Sequence, residues 1–159
     1  MIDQFERQHF FSQQVIGLHL RGLGRNRGGA LQMRKQGQST FGIDYGRFFS
    51  AVDKKLEENQ HMKLFVCSDS QDVIDHTVQV YQDRVITFSA SRSAFGEMHA
   101  NHQNNLGLDF SPYKLGLDVV VEAYLLAKTD YFIHGNSNVA NFVLCLNPLL
   151  ESTYVYWNN

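Results

Sequence analysis

A histidine and an arginine follow a short apolar segment near the beginning of the sequence, and both could handle phosphate. Residues 15–29 read VIGLHLRGLGRNRGG, in which the apolar run ends at His19 and Arg21 and a glycine-rich loop follows. Such a run predicts a buried strand of a parallel sheet. Ligands bind at the carboxyl ends of strands in open α/β sheets. No Asp or Glu occurs between Arg21 and Asp44, whereas several Arg and Lys do, so we expect an anionic ligand.

A second candidate phosphate contact lies at Ser137 and Asn138, which follow the apolar segment YFIH and a glycine. Residues of these types begin helices, and a helix N-terminus offers free N–H groups and positive partial charge. An arginine facing it, here Arg21, suits a pyrophosphate. The familiar phosphate loops are not matched, because GLGRNRGG has no Walker lysine and Arg27 replaces the third glycine of the dinucleotide fingerprint. Neither an ATPase nor a dehydrogenase is predicted.

Three acids have two interpretations each. Asp69 follows the apolar run KLFVC, where an acid either caps the next helix or contacts a ligand. Asp118 and Glu122 lie four residues apart on one face of a strongly apolar helix. They form either a solvated surface pair or a functional pair on a narrow polar face.

The segment 89–112 interrupts the regular pattern and contains Glu97, His99 and His102. A histidine pair suggests a metal site, but zinc needs three or four ligands and the neighbourhood offers no convincing third. We therefore interpret the segment as a polar loop or lid over the site.

The elements that must position these residues form an alternating pattern. Apolar runs predict five strands, and helical spacing predicts four helices between them; the strands are 15–20, 63–67, 84–88, 131–134 and 153–157, and the helices are 45–56, 73–81, 113–128 and 138–146. This alternation predicts an α/β fold, a Rossmann-like doubly wound parallel sheet of order 3-2-1-4-5. In that order the loops at 19–29 and 135–138 flank one crevice. Residues 1–13 are interpreted as a frayed helix that carries little information.

Composition limits the function classes. The 159 residues suit a single domain, 1–159, and the net charge of −2 argues against nucleic acid or a membrane surface as partner. No apolar run approaches the roughly 20 residues of a membrane span, and no signal peptide is recognisable, so we expect a soluble, cytoplasmic protein. Cys67 and Cys145 lie in apolar runs and are predicted to be buried thiols.

Three motifs together resemble a known family. HLR follows the first strand, VCSDS follows the second, and LDVVVEAYLLAKTDYFIHGNSNVANFVLCLNP spans the fourth strand and its flanking helices. This combination is similar to the nucleotide-binding domain of the fucosyltransferase superfamily, which includes α-1,6-fucosyltransferases, the nodulation fucosyltransferase and protein O-fucosyltransferases. The resemblance implies the C-terminal half of a GT-B glycosyltransferase, with GDP-fucose as donor, inverting transfer to a glycan or protein hydroxyl, and no metal or other cofactor.

The resemblance also assigns roles to residues. Arg21 would hold the donor β-phosphate as a catalytic residue, with His19 near the nucleotide. Ser137 would contact phosphate, with Asn138 beside it. Glu122, or alternatively Asp118, would accept from the guanine edge. Asp69 matches the acid of the second motif, whose role is ligand contact or structure.

Two features depart from the family pattern. The loop after HLR has no acid to serve as general base, so Glu97, Asp44 or a residue of another chain would have to deprotonate the acceptor. The N-terminal acceptor domain of a GT-B enzyme is expected to be missing from this chain, which would need a separate domain or subunit as partner. The alternatives are a non-catalytic nucleotide or nucleotide-sugar binding module, an inactive fragment, and an unrelated small-molecule Rossmann domain.

Overall fold

The computed structural model describes residues 1–21, 45–92 and 111–155. These ranges contain five strands, β1 to β5, and five α-helices, α1 to α5, in an alternating order: α1 (Ile2–His9), β1 (Val15–His19), α2 (Gly46–Glu58), β2 (Lys63–Cys67), α3 (Gln71–Tyr81), β3 (Val85–Ile86), α4 (Pro112–Leu126), β4 (Tyr131–His134), α5 (Asn138–Leu146) and β5 (Ser152–Tyr154). A short 3-10 helix, Gln82–Arg84, leads into β3.

The five strands form one parallel sheet in the order β3-β2-β1-β4-β5. The predicted α/β class and strand order are therefore confirmed. β1 is the central strand, and its five residues are all buried. Its neighbours are in register at their ends, because His19 pairs with Cys67 of β2 on one side and with His134 of β4 on the other. The strand ends next to the predicted site residues therefore lie together at one edge of the sheet.

Alternate residues of the central strands enter two separate apolar clusters. Ile16, Leu18 and Leu20 pack with residues of α2 and α3 on one face. Val15 packs on the opposite face with residues of α4 and α5, together with Phe65 and Phe132 from the neighbouring strands. A period of two along a strand that is buried on both faces is typical of a doubly wound sheet. The side chain of His19 shares the parity of Val15, so it belongs to the α4 and α5 face.

The N-terminal segment contributes more than the sequence suggested. α1 packs on the sheet through Phe5, whose ring lies 5.7 Å from that of Phe65, and the following Phe10 is buried 5.3 Å from the same ring. The interpretation of residues 1–13 as a frayed, uninformative helix is therefore wrong. Aromatic residues on a polar helix were the available signal.

Other differences concern element ends and one cysteine. β3 has two residues rather than five, because the 3-10 helix takes up Arg84 and the pairing with β2 ends at Ile86. β5 ends at Tyr154. Cys67 is buried as predicted, but Cys145 is exposed. It lies on the outer side of α5, in an apolar run whose period places only Ala140 and Val143 fully inside.

Among the described residues, no helix has the length and hydropathy needed to cross a bilayer.

Candidate functional site

The ends of β1 and β4 form a narrow cleft at the carboxyl edge of the sheet. The cleft is lined by Phe48 of α2, by His19 at the end of β1, and by residues that follow the two strands: Arg21, Gly135, Asn136 and Ser137. Parallel pairing of β1 and β4 places His19 beside His134. The residues that follow β1 therefore lie opposite the residues that follow β4. The part of the predicted crevice that the described residues form, between His19 and Arg21 on one side and residues 135–137 on the other, is therefore present.

Ser137 is the N-cap of α5. Its Oγ accepts a hydrogen bond from the backbone N–H of Ala140 at 3.0 Å, and the same oxygen lies 3.4 Å from Nδ1 of His19. Ser137 has extended backbone angles, as an N-cap residue should. The first turn of α5 thus presents its free N–H groups toward the cleft. Asn138, the first helical residue, is exposed beside it.

His19 is neutral at physiological pH. Burial first, and then the positive charges of Arg21 and His134, lower its pKa from 6.5 to about 4. Burial also lowers the pKa of His134. A neutral imidazole can exchange a hydrogen bond with Ser137 without adding charge, so Arg21 supplies the positive charge of this part of the cleft.

Arg21 has a partly buried side chain whose Nε is shielded from solvent and has no hydrogen-bond partner among the described residues. The hydroxyl of Tyr45, just before α2, donates to the backbone carbonyl of Arg21 at 3.5 Å. A buried guanidinium donor without an acceptor is costly. An anion in the cleft would relieve that cost.

Of the two interpretations of Asp69, that of a cap for α3 is wrong, because the N-cap position belongs to Ser70. Asp69 precedes it and is half-buried. Its negative charge contributes to raising the pKa of both Tyr45 and Glu122. Asp69 follows β2 at the carboxyl edge of the sheet, and its charge reaches both Tyr45, at the beginning of α2, and Glu122 of α4.

Asp118 and Glu122 are both buried, at 8% and 9% exposure, so their interpretation as a solvated surface pair is wrong. Each has its own cation. Asp118 pairs with Lys114 at 2.9 Å, and Glu122 pairs with Arg92 at 2.8 Å. Burial alone would raise the pKa of Asp118, but hydrogen bonds from Ser91 and Lys114 outweigh it and hold that pKa below its ordinary value.

Arg92 is the residue that sequence reasoning missed. It follows β3 and its side chain is 7% exposed, with its guanidinium bonded to Glu122. The available signal was the pair of acids on an apolar helix, because buried carboxylates need partners. The sequence does not show which of several distant cations pairs with Glu122.

Several predicted residues lie outside the described ranges: Glu97 and Asp44 as general bases, His99 and His102 as a metal pair, and the glycine-rich loop after Arg21. Within residues 1–21, 45–92 and 111–155, no cluster of three or more His, Cys, Asp or Glu side chains is suited to hold a metal ion.

No protein-family model matches this chain, and no curated protein matches it in sequence. Solved structures do match. NodZ α-1,6-fucosyltransferase co-crystallized with GDP is 21% identical with a TM-score of 0.54, and fucosyltransferase NodZ from Bradyrhizobium is 20% identical with a TM-score of 0.53. NodZ soaked with GDP-fucose is 20% identical with a TM-score of 0.51.

Each of these alignments covers 92% of this chain and 40% of the NodZ chain. This chain thus spans about 40% of the length of the enzymes that it matches. The five-stranded parallel α/β domain described above is therefore similar in fold to one part of the α-1,6-fucosyltransferase NodZ.

Proposed function

We propose that this chain is the donor-binding domain of a fucosyltransferase-type glycosyltransferase, corresponding to the C-terminal half of a GT-B enzyme. It binds GDP-fucose and, together with an acceptor-binding domain, transfers fucose with inversion to a glycan or protein hydroxyl. The observation that carries the proposal is the meeting of Arg21, Ser137 and His19 in one cleft at the first turn of α5. The likeness in fold to NodZ supports it.

The chemistry of that cleft suits a leaving diphosphate. Transfer from a nucleotide sugar breaks the bond between the anomeric carbon and the β-phosphate, so negative charge develops on the phosphate oxygens. The Arg21 guanidinium and the N–H groups of α5 are fixed donors for that charge. Neutral His19 lies beside them without competing for the anion. This electrostatic assistance requires no covalent intermediate and no metal ion.

The cleft that would bind the diphosphate and the acid that would bind the base, Glu122, both lie at the carboxyl edge of the sheet. Glu122 lies close enough to Asp69 for the charge of Asp69 to raise the pKa of Glu122, and close enough to Cys67, at the end of β2, for its own charge to raise the pKa of that thiol. β2 pairs directly with β1, which carries His19. A nucleotide whose diphosphate occupies the cleft can therefore extend along the carboxyl edge toward Glu122, which would accept hydrogen bonds from the N1–H and N2–H groups of guanine.

A non-catalytic nucleotide or nucleotide-sugar binding module is the second candidate function. It is favoured by the absence of any Asp or Glu between Arg21 and Asp44 in the sequence, because transfer requires a general base for the acceptor hydroxyl. The two candidates predict the same nucleotide binding. They differ in turnover, which a transfer and hydrolysis assay with labelled GDP-fucose measures, with a candidate acceptor domain added.

Calorimetric titration with GDP, UDP and NAD tests the proposal. We expect GDP to bind most tightly, and Arg21→Ala to lose about 1.5 to 3 kcal/mol of binding free energy, the size of one charge-assisted hydrogen bond. Arg7→Ala is the matched control, because Arg7 is an exposed arginine on α1 that contacts a backbone carbonyl of its own helix. Undiminished GDP binding by Arg21→Ala, or preference for NAD, would contradict the assignment.

A further inference from the structure

The segment that follows β3 contacts α4 through two adjacent hydrogen bonds to the acids of that helix. Arg92 donates to Oε1 of Glu122 at 2.8 Å, and the backbone N–H of Ser91 donates to Oδ2 of Asp118 at 2.9 Å. Lys114 joins the two elements, since its Nζ contacts both Oγ of Ser91 and Oδ2 of Asp118. The two acids are thus held by consecutive residues of one segment.

The guanidinium of Arg92 is fixed from its own side as well. One of its terminal nitrogens donates to the backbone carbonyl of Phe88 at 2.9 Å, and the other donates to that of Ala90 at 3.2 Å. The bond to Glu122 therefore joins two groups that are already restrained. A planar fork bonded to both backbone and carboxylate restrains orientation more than a lysine could.

The groups that face Glu122 come from four elements. Asp118 lies on its own helix, Arg92 on the segment after β3, Asp69 on the segment after β2, and Cys67 at the end of β2. Burial raises the pKa of Glu122 to about 7, and the charges of Asp118 and Asp69 act in the same direction. Among these described groups, Arg92 alone favours the ionised form of Glu122.

We propose that Arg92 is a positioning residue for base recognition. Arg92 holds Oε1 of Glu122 as a carboxylate oxygen and leaves Oε2 to accept a hydrogen bond from a guanine ring. The site thereby selects guanine over adenine. The inference rests on the proposed function, which sets a nucleotide base near Glu122. Among the described residues, none donates a hydrogen bond to Oε2. An ionised carboxylate accepts from guanine N1–H and N2–H but repels N1 of adenine, which is itself an acceptor.

The test compares GDP with ADP, because their diphosphates titrate alike and cancel in the ratio of affinities. For the wild-type protein we expect the GDP to ADP affinity ratio to be about tenfold higher at about pH 8 than at about pH 6, as Glu122 loses its proton. Arg92→Gln should lower the ratio at about pH 8 by about tenfold, because Glu122 is then protonated over more of that range. Arg92→Lys keeps the charge without the fork and should give an intermediate ratio.

Arg84→Gln is the matched control. Arg84 precedes β3 as Arg92 follows it, and it bonds backbone carbonyls of Gln60 and Met62 but no acid of the site. Its ratio and pH dependence should equal those of the wild type. In Glu122→Gln, the pH dependence should vanish, and adding Arg92→Gln should change the ratio no further. A folded Arg92→Gln protein with the wild-type ratio and pH profile would overturn the inference.

A measurement without nucleotide separates the inference from the proposed function. Carbon NMR of the Glu122 carboxyl in the free protein should show its pKa higher in Arg92→Gln than in wild type, and an unchanged titration would overturn the inference even if GDP binds. Conversely, a folded wild-type protein that binds no GDP would overturn the proposed function, and base recognition by this pair would fall with it.

Discussion

Oγ of Ser137 lies 3.4 Å from Nδ1 of His19 while it accepts a 3.0 Å hydrogen bond from the N–H of Ala140. One hydroxyl therefore joins the end of β1 to the first turn of α5. The same atom stabilises a helix and lines the cleft. Its contribution to stability and its contribution to anion binding need different substitutions to be measured separately.

Two variants of Ser137 make that separation. Ser137→Ala removes the cap and should lower the free energy of unfolding by about 1 kcal/mol. Ser137→Asp keeps a capping acceptor, so we expect stability near that of the wild type, but its negative charge should weaken GDP binding at least about tenfold through repulsion of the phosphates. Urea denaturation and calorimetry measure the two effects. Wild-type affinity in Ser137→Asp would show that the diphosphate binds elsewhere.

The buried His19 should make the fold sensitive to acid. Its pKa is about 4 in the folded chain and 6.5 ordinarily, so between these values the unfolded chain binds the extra proton. Stability is then lost as the pH falls from 6.5 toward 4, by up to about 3 kcal/mol. In His19→Asn this loss should be absent. Urea denaturation at several pH values in that range measures this loss, as the difference in the free energy of unfolding between wild type and variant. A constant difference would contradict the prediction.

Glu122 should act in the opposite direction. Its pKa is raised from 4.5 to about 7 in the folded chain, so the folded protein holds the extra proton and its stability falls as the pH rises through that interval. The two contributions oppose each other between 4.5 and 6.5. In Glu122→Gln we therefore expect a steeper loss of stability on acidification than in wild type. An unchanged slope in the same denaturation series would exclude a titrating Glu122.

Two glycines offer a matched pair for packing. A methyl group on Gly17 of β1 would lie 2.7 Å from Oγ1 of Thr129, whose hydroxyl already donates to the carbonyl of Leu126. Gly17→Ala should therefore destabilise the protein by about 1 to 3 kcal/mol. Gly116 on α4 has open space at that position, so Gly116→Ala should stabilise it by about 0.5 to 1 kcal/mol. Opposite signs in urea denaturation are expected, and equal effects would refute the prediction.

The two cysteines should differ in reactivity. Cys145 is exposed, whereas Cys67 is buried at the end of β2, where burial and the charge of Glu122 raise its pKa. We expect iodoacetamide to alkylate Cys145 readily in the native protein and Cys67 only after unfolding in urea. Peptide mass spectrometry identifies the labelled site. Rapid native labelling of Cys67 would show that the α4 face of the sheet opens.

The sequence was informative where a pattern is local. β2 and β4 occupy the predicted ranges 63–67 and 131–134, and strand order follows from the alternation of strands with helices. The meeting of Arg21 with Ser137 follows from that order. Helix and strand periodicity depend on near neighbours, so a single sequence is enough to show them.

The ionic contacts were not predictable in the same way. Asp118 and Glu122 look like a surface pair at helical spacing, and only the position of the segment after β3 covers them and supplies Arg92 as the partner of Glu122. Which charges are buried depends on contacts between residues far apart in the chain. The beginning of α3 was uncertain for a related reason. Ser70 and Asp69 are equally suitable caps, and the backbone path selects Ser70.

The central position of β1 has a consequence for how the chain folds. The backbone N–H of Val15 donates to the carboxylate of Asp130, and the backbone N–H of Asp130 in turn donates to the carbonyl of Val15. One of the two strands that pair with β1, the most enclosed strand, is thus synthesised more than a hundred residues later. Contacts of such separation slow folding and leave apolar strand edges unpaired during synthesis. The arrangement that gathers the cleft residues at the middle of the sheet therefore delays completion of the sheet until β4 has been synthesised.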